Sequence, residues 1–399
     1  NTAVGHGALA TMNADGDNFN TAIGYNAGAA VTTGVQNTML GAQAGDALTS
    51  GSGNVAIGYD ALSAEDAHGR NVAIGHLALQ AQNAGADAYN TAIGYSTGAA
   101  MTTGIKNTII GGLAGDALTI GNQNTALGYS ALSTSVDGDN NTAIGYLALE
   151  DYEDGDGDGS NTAIGSESQR NATTGEFNTS LGHLSMGTGV VTGDANVAIG
   201  YLAGQDITSG NNNVFVGNDA GKQVTTGANN VFVGKGAGDA MVDAQESVAV
   251  GNNSLSTETG AGRNVAVGAN TLKLANKGSG HGHNTAVGHD AGKAMTTGVF
   301  NVVVGSGAGD ALTTATNNTL VGRDAGGALI TGTHNTVLGQ GALATEDGHG
   351  FNVAIGTSSL AVQNAGASGL NVAVGHNSGL AVTEGVKNTL IGAYAGDAI

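Results

Sequence analysis

A five-residue stretch, Asn20-Thr21-Ala22-Ile23-Gly24, returns along the whole chain and limits what the chain can fold into more than any other feature. It recurs as Asn54-Val55-Ala56-Ile57-Gly58, as Asn213-Val214-Phe215-Val216-Gly217 and finally as Asn388-Thr389-Leu390-Ile391-Gly392. There are 23 copies, mostly 17 residues apart, with a few intervals of 18, 19 or 20. A short fixed period over 399 residues implies equivalent units that bury their apolar faces by stacking on one another. With the Asn as position 1, position 2 is always Thr or Val, position 4 is Ile, Leu or Val, and position 5 is Gly; Ser247 alone replaces the Asn. Positions 2 and 4 share one face of an extended segment, and β-branched residues suit that conformation. Seventeen residues are too few for two helices and a turn, but they accommodate two short strands and two turns. The expected fold is therefore all-β: a parallel β-solenoid, or β-roll, of 23 rungs of about 17 residues. It should run as a single rod over residues 1–399, ~110 Å long at a rung spacing of ~4.8 Å.

Stacking in register makes each position a column. Asn20, Asn37, Asn54, Asn71, Asn90, Asn107, Asn213 and Asn230 should form an amide ladder. The Gly at position 5 ends the strand where a Cβ is unwelcome. A second strand is expected on Ala30-Val31, Ala47-Leu48 and Ala100-Met101, before a second Gly turn. Position 3 is apolar in every copy except Ser180, so the strand is apolar on both faces and needs cover on both. One thin rung covers one face. Position 3, with Phe215 and Phe232, is thus expected to be buried between sheets or chains, which argues for an oligomer. In column 10, Lys222 precedes Asp239 by one rung and Lys293 precedes Asp310, so both are expected to form inter-rung ion pairs.

Two kinds of rung alternate. One continues Gly-x-x-Ala-Gly, as at Gly24 to Gly28; the other continues Gly-x-x-Ala-Leu, as at Gly58 to Leu62. The Leu kind comes in pairs starting at 54 and 71, 124 and 141, 247 and 264, and 335 and 352; the second member carries a lengthened loop, such as Gln80 to Tyr89. The rungs at 161 and 178 break this scheme. The chain lacks Cys and Pro, and its net charge is −21, which opposes nucleic-acid binding. No apolar run approaches the ~20 residues of a membrane span. With no initiator Met and an end inside a repeat, it reads as a piece of a longer fibre.

The Asn-Thr-Ala-Ile-Gly-x-x-Ala pattern resembles the head repeats of trimeric autotransporter adhesins, whose period is somewhat shorter. Asn124 to Leu132 and Asn141 to Leu149 are also similar to repeat arrays of bacterial and phage tail-fibre-like proteins. The adhesin resemblance implies a left-handed parallel β-roll closed as a homotrimer.

Candidate sites are sparse. Asp154, Asp156 and Asp158 alternate as in a calcium loop, though the EF-hand Glu is missing; a solvated acidic loop is the alternative. His281 and His283, with His289, offer imidazoles for a transition metal, or simply a polar loop. His and Tyr recur at position 6, where planar rings should lie along a corner. Side chains repeated in register give no unique catalytic constellation, so no enzyme is expected. Thr pairs such as Thr32-Thr33 and Thr102-Thr103 admit an ice-binding reading, though they do not form a continuous rank. The expected function is an extracellular or cell-surface fibre shaft with an adhesive role, self-associating and holding a receptor-binding tip away from a surface, with calcium as the one candidate cofactor. A virion tail-fibre shaft is the alternative.

Overall fold

The computed structural model describes residues 1–13, 15–153, 158–260, 262–276 and 280–398. They fall into two compact units, Asn1–Ile199 and Gly200–Ile399. The first carries twelve three-residue strands, from β1 (Thr2–Val4) to β12 (Val197–Ile199); the second carries eleven, from β13 (Val214–Val216) to β23 (Thr389–Ile391). Within each unit, strands of successive rungs pair in parallel, column on column. Thr21, Ala22 and Ile23 face Thr38, Met39 and Leu40; Val214, Phe215 and Val216 face Val231, Phe232 and Val233. No helix occurs among the described residues. The chain is a parallel β-solenoid, with one rung per sequence repeat.

Among the described residues each rung has one strand, not the expected two. Ala30-Val31, Ala47-Leu48 and Ala100-Met101 instead close a run of turns. In that run, positions 7 and 9 adopt left-handed backbone, and position 17 does so again before the next strand: Asn26 (φ 54), Leu62 (φ 53) and Gln36 (φ 60) are examples. Non-Gly residues there cost about 1–3 kcal/mol each unless their surroundings fix them. Inter-rung hydrogen bonds do the fixing. Asn26 N–H donates to the His6 carbonyl (2.8 Å), Gly28 N–H to Ala44 (2.9 Å) and Gln36 N–H to Asn18 (2.7 Å). The turns are thereby bonded to neighbouring rungs as the strands are, and no second strand is needed to satisfy the backbone.

The Asn column forms a ladder of mixed type. Within each unit, Asn Oδ1 accepts the main-chain N–H of position 1 in the next rung, as from Asn37 to Asn20 (2.8 Å) and from Asn124 to Asn107 (2.8 Å). At most rungs Nδ2 crosses its own rung to a carbonyl 14 residues on, as from Asn20 to Gly34 (2.7 Å) and Asn107 to Gly121 (2.9 Å); Asn71 and Asn141 leave Nδ2 buried without a partner. Direct amide-to-amide bonds are added at some rungs, as from Asn230 to Asn213 (3.0 Å). The side chain thus closes its own coil and docks the next one.

Position 3 points into the coil and is buried by its own chain. Ala22, Met39, Phe215 and Phe232 have no exposed surface, and the two Phe rings stack at 5.6 Å. The rings are buried as expected, but inside their own coil and not between sheets or chains, so position 3 carries no argument for an oligomer. The face left open is the other one, positions 2 and 4. Inside the coil, positions 3, 9 and 12 share one volume. Where position 9 is Gly, position 12 fills the centre: Leu48, Met101, Val224, Leu312. Where position 9 is Leu, as at Leu62, Leu79 and Leu343, that Leu fills the centre, and position 12 becomes Glu65, Gln82 or Glu346. The backbone is alike in both kinds, φ 58 at Gly221 and φ 53 at Leu62, so packing alone separates them. A Cβ on Gly221 would lie 2.5 Å from Phe215 Cε1.

Two outcomes are expected. Gly221→Leu alone should destabilise by about 1–3 kcal/mol or more through overpacking, and adding Phe215→Ala should recover part of the loss; thermal melts of the two variants that lose stability additively would refute the shared volume. Asn107→Ala leaves the Asn124 N–H and the Gly121 carbonyl buried without partners, at about 1–3 kcal/mol each. Asn107→Ser, the residue the chain itself tolerates at Ser247, should cost visibly less in the same melts.

Candidate functional site

The strand sheet presents its positions 2 and 4 outward. In the first unit Leu40 is 44% exposed, Leu127 45% and Leu181 45%; in the second Leu338 is 48% exposed. Beside them run ranks of Thr and Val at position 2. Thr91, Thr108, Thr125, Thr142, Thr162 and Thr179 are consecutive and paired in register. Parallel pairing makes this a continuous apolar and Thr-lined face. The Thr pairs singled out in the sequence are used differently: the first Thr of a pair binds the next rung, as in Thr32 Oγ1 to the Thr49 carbonyl (3.2 Å) and Thr102 Oγ1 to Thr119 (3.3 Å).

Stacked rings border the coils. Tyr59, His76 and Tyr95 stack at 5.3 Å steps in column 6, and Tyr129 stacks on Tyr146 at 6.0 Å. At the rung ends His283 stacks on Phe300 (5.2 Å) and His334 on Phe351 (4.8 Å). His281 and His283 lie edge to face at 5.7 Å, so His283 is engaged as a stacking ring. Of the candidate calcium ligands, Asp154 and Asp156 lie outside the described residues; the Asp158 carbonyl accepts the Ser160 hydroxyl (3.1 Å).

The expected pairs Lys222–Asp239 and Lys293–Asp310 are not the contacts formed. Lys222 Nζ lies 3.8 Å from Asp219, and Lys293 Nζ 3.2 Å from Asp290, each three residues back in its own rung. The columns do stack, since Gln223 N–H donates to the Asp239 carbonyl (2.9 Å) and Ala294 N–H to Asp310 (3.0 Å). A long Lys side chain simply reaches the nearer and less buried carboxylate. The column-10 pair exists elsewhere: Arg170 Nε binds Glu150 Oε2 at 2.8 Å across one rung. In column 17 Arg263 binds Glu246 at 2.8 Å. Opposite charges at one position of successive rungs were the signal for both. Such partly exposed pairs contribute at most about 1 kcal/mol.

Among the described residues, each unit also holds a cluster that is not one of the sequence candidates. In Glu65-Asp66-Ala67-His68 and Glu346-Asp347-Gly348-His349, one ligand atom from each Glu, Asp and His lies within 4.8 Å of the other two. Both clusters begin at position 12 of a Leu-type rung. Each Glu is wholly buried, each His 30% exposed and each Asp exposed. His68 N–H donates to Glu65 Oε1 (3.1 Å), and His349 N–H to Glu346 Oε1 (2.9 Å). Burial pushes the Glu65 carboxyl above its ordinary range, against that hydrogen bond. The exact spacing Glu-Asp-x-His, repeated at the same rung positions, was visible in the sequence.

The Asp residues of column 10 are also perturbed. Burial raises the carboxyls of Asp46, Asp116, Asp239 and Asp310, with neighbouring carboxylates adding to it at all but Asp116. A raised native pKa means that the folded state holds more protons than the unfolded one, so stability falls as pH rises from about 3.9, the unfolded value, through the raised one. Asp116→Asn should therefore melt higher than the parent at pH 7, and the difference should vanish near pH 3. An unchanged difference across that range in a pH series of melting temperatures would assign it to something other than ionisation.

No helix among the described residues is long and apolar enough to cross a membrane. Compared with known proteins, the chain matches no family model and no curated sequence.

Proposed function

We propose that this chain is a structural segment of an extracellular or cell-surface fibre, that it associates with copies of itself as a homotrimer, and that it holds an adhesive tip away from a surface. The observation that supports the reading is the open apolar face of positions 2 and 4. Val, Ile and Leu side chains stand outward there in rung after rung, on a sheet whose other face is already filled. Parallel strands with two apolar faces are normally covered on both, and a contiguous exposed apolar patch of this kind marks an interaction site. Copies related by closed symmetry cover such a face without an open end. The coils themselves serve as a spacer: within each unit, successive rungs are bonded through strand, turn and the side chain at position 1. Catalysis has no part in this reading, because the side chains recur in register instead of converging on one constellation. A phage tail-fibre shaft is the alternative form of this reading, and in either the receptor would be engaged through neighbouring parts of the fibre.

A second reading draws on the six consecutive Thr of column 2. A regular outward Thr rank on a parallel sheet suits ice binding, and it is more continuous than the Thr pairs suggested.

Sedimentation equilibrium of the full chain should return a trimer. Leu40→Glu, Leu127→Glu and Leu181→Glu combined place charges only on exposed side chains, and should yield a monomer with an unchanged circular dichroism spectrum. A wild-type monomer at tens of micromolar would remove the support for self-association, and faceting of ice crystals by that monomer would favour the second reading.

A further inference from the structure

We propose that Glu65, Asp66 and His68, and separately Glu346, Asp347 and His349, form two equivalent sites for a divalent transition-metal ion of the zinc class.

The donor set points to that class. One imidazole with two carboxylates suits zinc and its neighbours, whereas calcium prefers an all-oxygen shell. The spacing fits as well. Two ligands bound at ~2.0–2.2 Å to one tetrahedral ion stand roughly 3.3–3.6 Å apart. His68 Nδ1 lies 3.7 Å from Glu65 Oε1, and His349 Nδ1 lies 3.2 Å from Glu346 Oε1, on either side of that separation. The Asp carboxylate oxygen completes a triangle no wider than 4.8 Å in either unit.

The buried carboxylate supplies an independent observation. Oε1 of each Glu is already used by the His main-chain N–H, while Oε2 is buried and makes no hydrogen bond of good geometry in either unit, the Ala84 N–H acting only as a minor influence on the Glu65 carboxylate. His68 Nδ1 is likewise buried without one, whereas His349 Nδ1 is paired with Glu346 Oε1 at 3.2 Å. An oxygen and a nitrogen left in this state are costly to keep unless a cation accepts their lone pairs. The two rungs give the unpartnered oxygen the same place, so it belongs to the design of the rung.

The frame that holds the ligands is also duplicated. The Asp66 carbonyl accepts Thr49 N–H (2.6 Å), and the Asp347 carbonyl accepts Ile330 N–H (2.6 Å), both from the preceding rung. Asn54 Nδ2 reaches the His68 carbonyl (3.2 Å), and Asn335 Nδ2 the His349 carbonyl (3.3 Å). The main chain is therefore fixed on both sides of the ligands. The exposed Asp and half-exposed His leave an entry path from solvent, and water would take the remaining coordination position. Rungs that carry a buried polar residue at position 12 without the His, such as those with Ser135 or Gln82, lack the imidazole and are not included.

Equilibrium dialysis of the full chain against zinc chloride, with metal analysis of both compartments, tests the assignment. Two equivalents should bind, one in each cluster. His68→Gln should retain one, and His68→Gln with His349→Gln should retain none, each with the parent circular dichroism spectrum. If the histidine variants do not fold, Asp66→Asn with Asp347→Asn changes only exposed side chains and should weaken both sites at least about tenfold. Zinc that does not bind, or that binds undiminished in the double variants, overturns the proposal; so does a chain that takes up calcium but not zinc.

Discussion

The Asn at position 1 is the interaction on which the coils depend. A rung with a single three-residue strand has little sheet to hold it, and most of its backbone runs through turns. Turns have to place their N–H and C=O groups somewhere, and burial makes any omission cost about 1–3 kcal/mol. One amide answers two of these demands at the corner where the chain enters the strand. Its oxygen takes the N–H of the following Asn, and its NH2 ties down the carbonyl of the turn that ends the same rung. Ser247 shows what is lost otherwise: its hydroxyl accepts Asn264 N–H at 3.4 Å, longer than the 3.0 Å step from Ser247 N–H to Asn230. A hydroxyl is too short to cross the coil.

The interior follows from the same economy of space. A coil this narrow admits one large side chain beside the strand, and positions 3, 9 and 12 compete for the place. Phe215 requires Gly221, and Leu62 removes the need for an apolar residue at position 12. The left-handed backbone at position 9 costs a Leu about 1–3 kcal/mol, which burying that Leu offsets by a similar ~1.5–3 kcal/mol. Neither kind of rung is therefore strongly preferred, and the chain alternates them. The chemistry at Glu65 and Glu346 is a consequence. Once Leu62 and Leu343 fill the centre, position 12 is free for a polar residue, but it remains buried.

The period announced the parallel register, the Asn column and the Gly at position 5, because each depends only on identical residues lying over one another. Which face of the strand is inside was not legible from it. Positions 2 and 4 are β-branched or aliphatic and position 3 is often Ala, so hydropathy favours neither side. Large residues at position 3, Phe215 above all, were the better guide, because only an enclosed face needs them to change in concert with position 9. The second strand was expected from apolar residues such as Ala47-Leu48. In fact their apolar character reflects burial of position 12 at the end of a turn, and the alternating left-handed residues leave no signature when they are Asn, Gln, Leu or Tyr. The ion pairs depended on side-chain reach, which a column diagram does not contain. The Glu-Asp-x-His clusters needed both the spacing and the knowledge that position 12 points inward, and only the first of these is in the sequence.

In-register stacking also explains how a chain of net charge −21 avoids working against itself. A repeat copied faithfully would set every acidic residue ~4.8 Å from its equivalent, where like charges destabilise the pair. Column 10 shows the remedy. Asp46 lies between Ala29 and Ser63, Asp116 between Ala99 and Ser133, and Asp310 between Lys293 and Gly327. Glu150 is followed by Arg170, and Asp239 is preceded by Lys222. No two consecutive rungs carry an acid there. The backbone repeats rung by rung, but charge cannot, and neither can the volume shared by positions 3, 9 and 12. The alternation of Gly-type and Leu-type rungs is what remains when a strict structural period meets side chains that must differ from their neighbours.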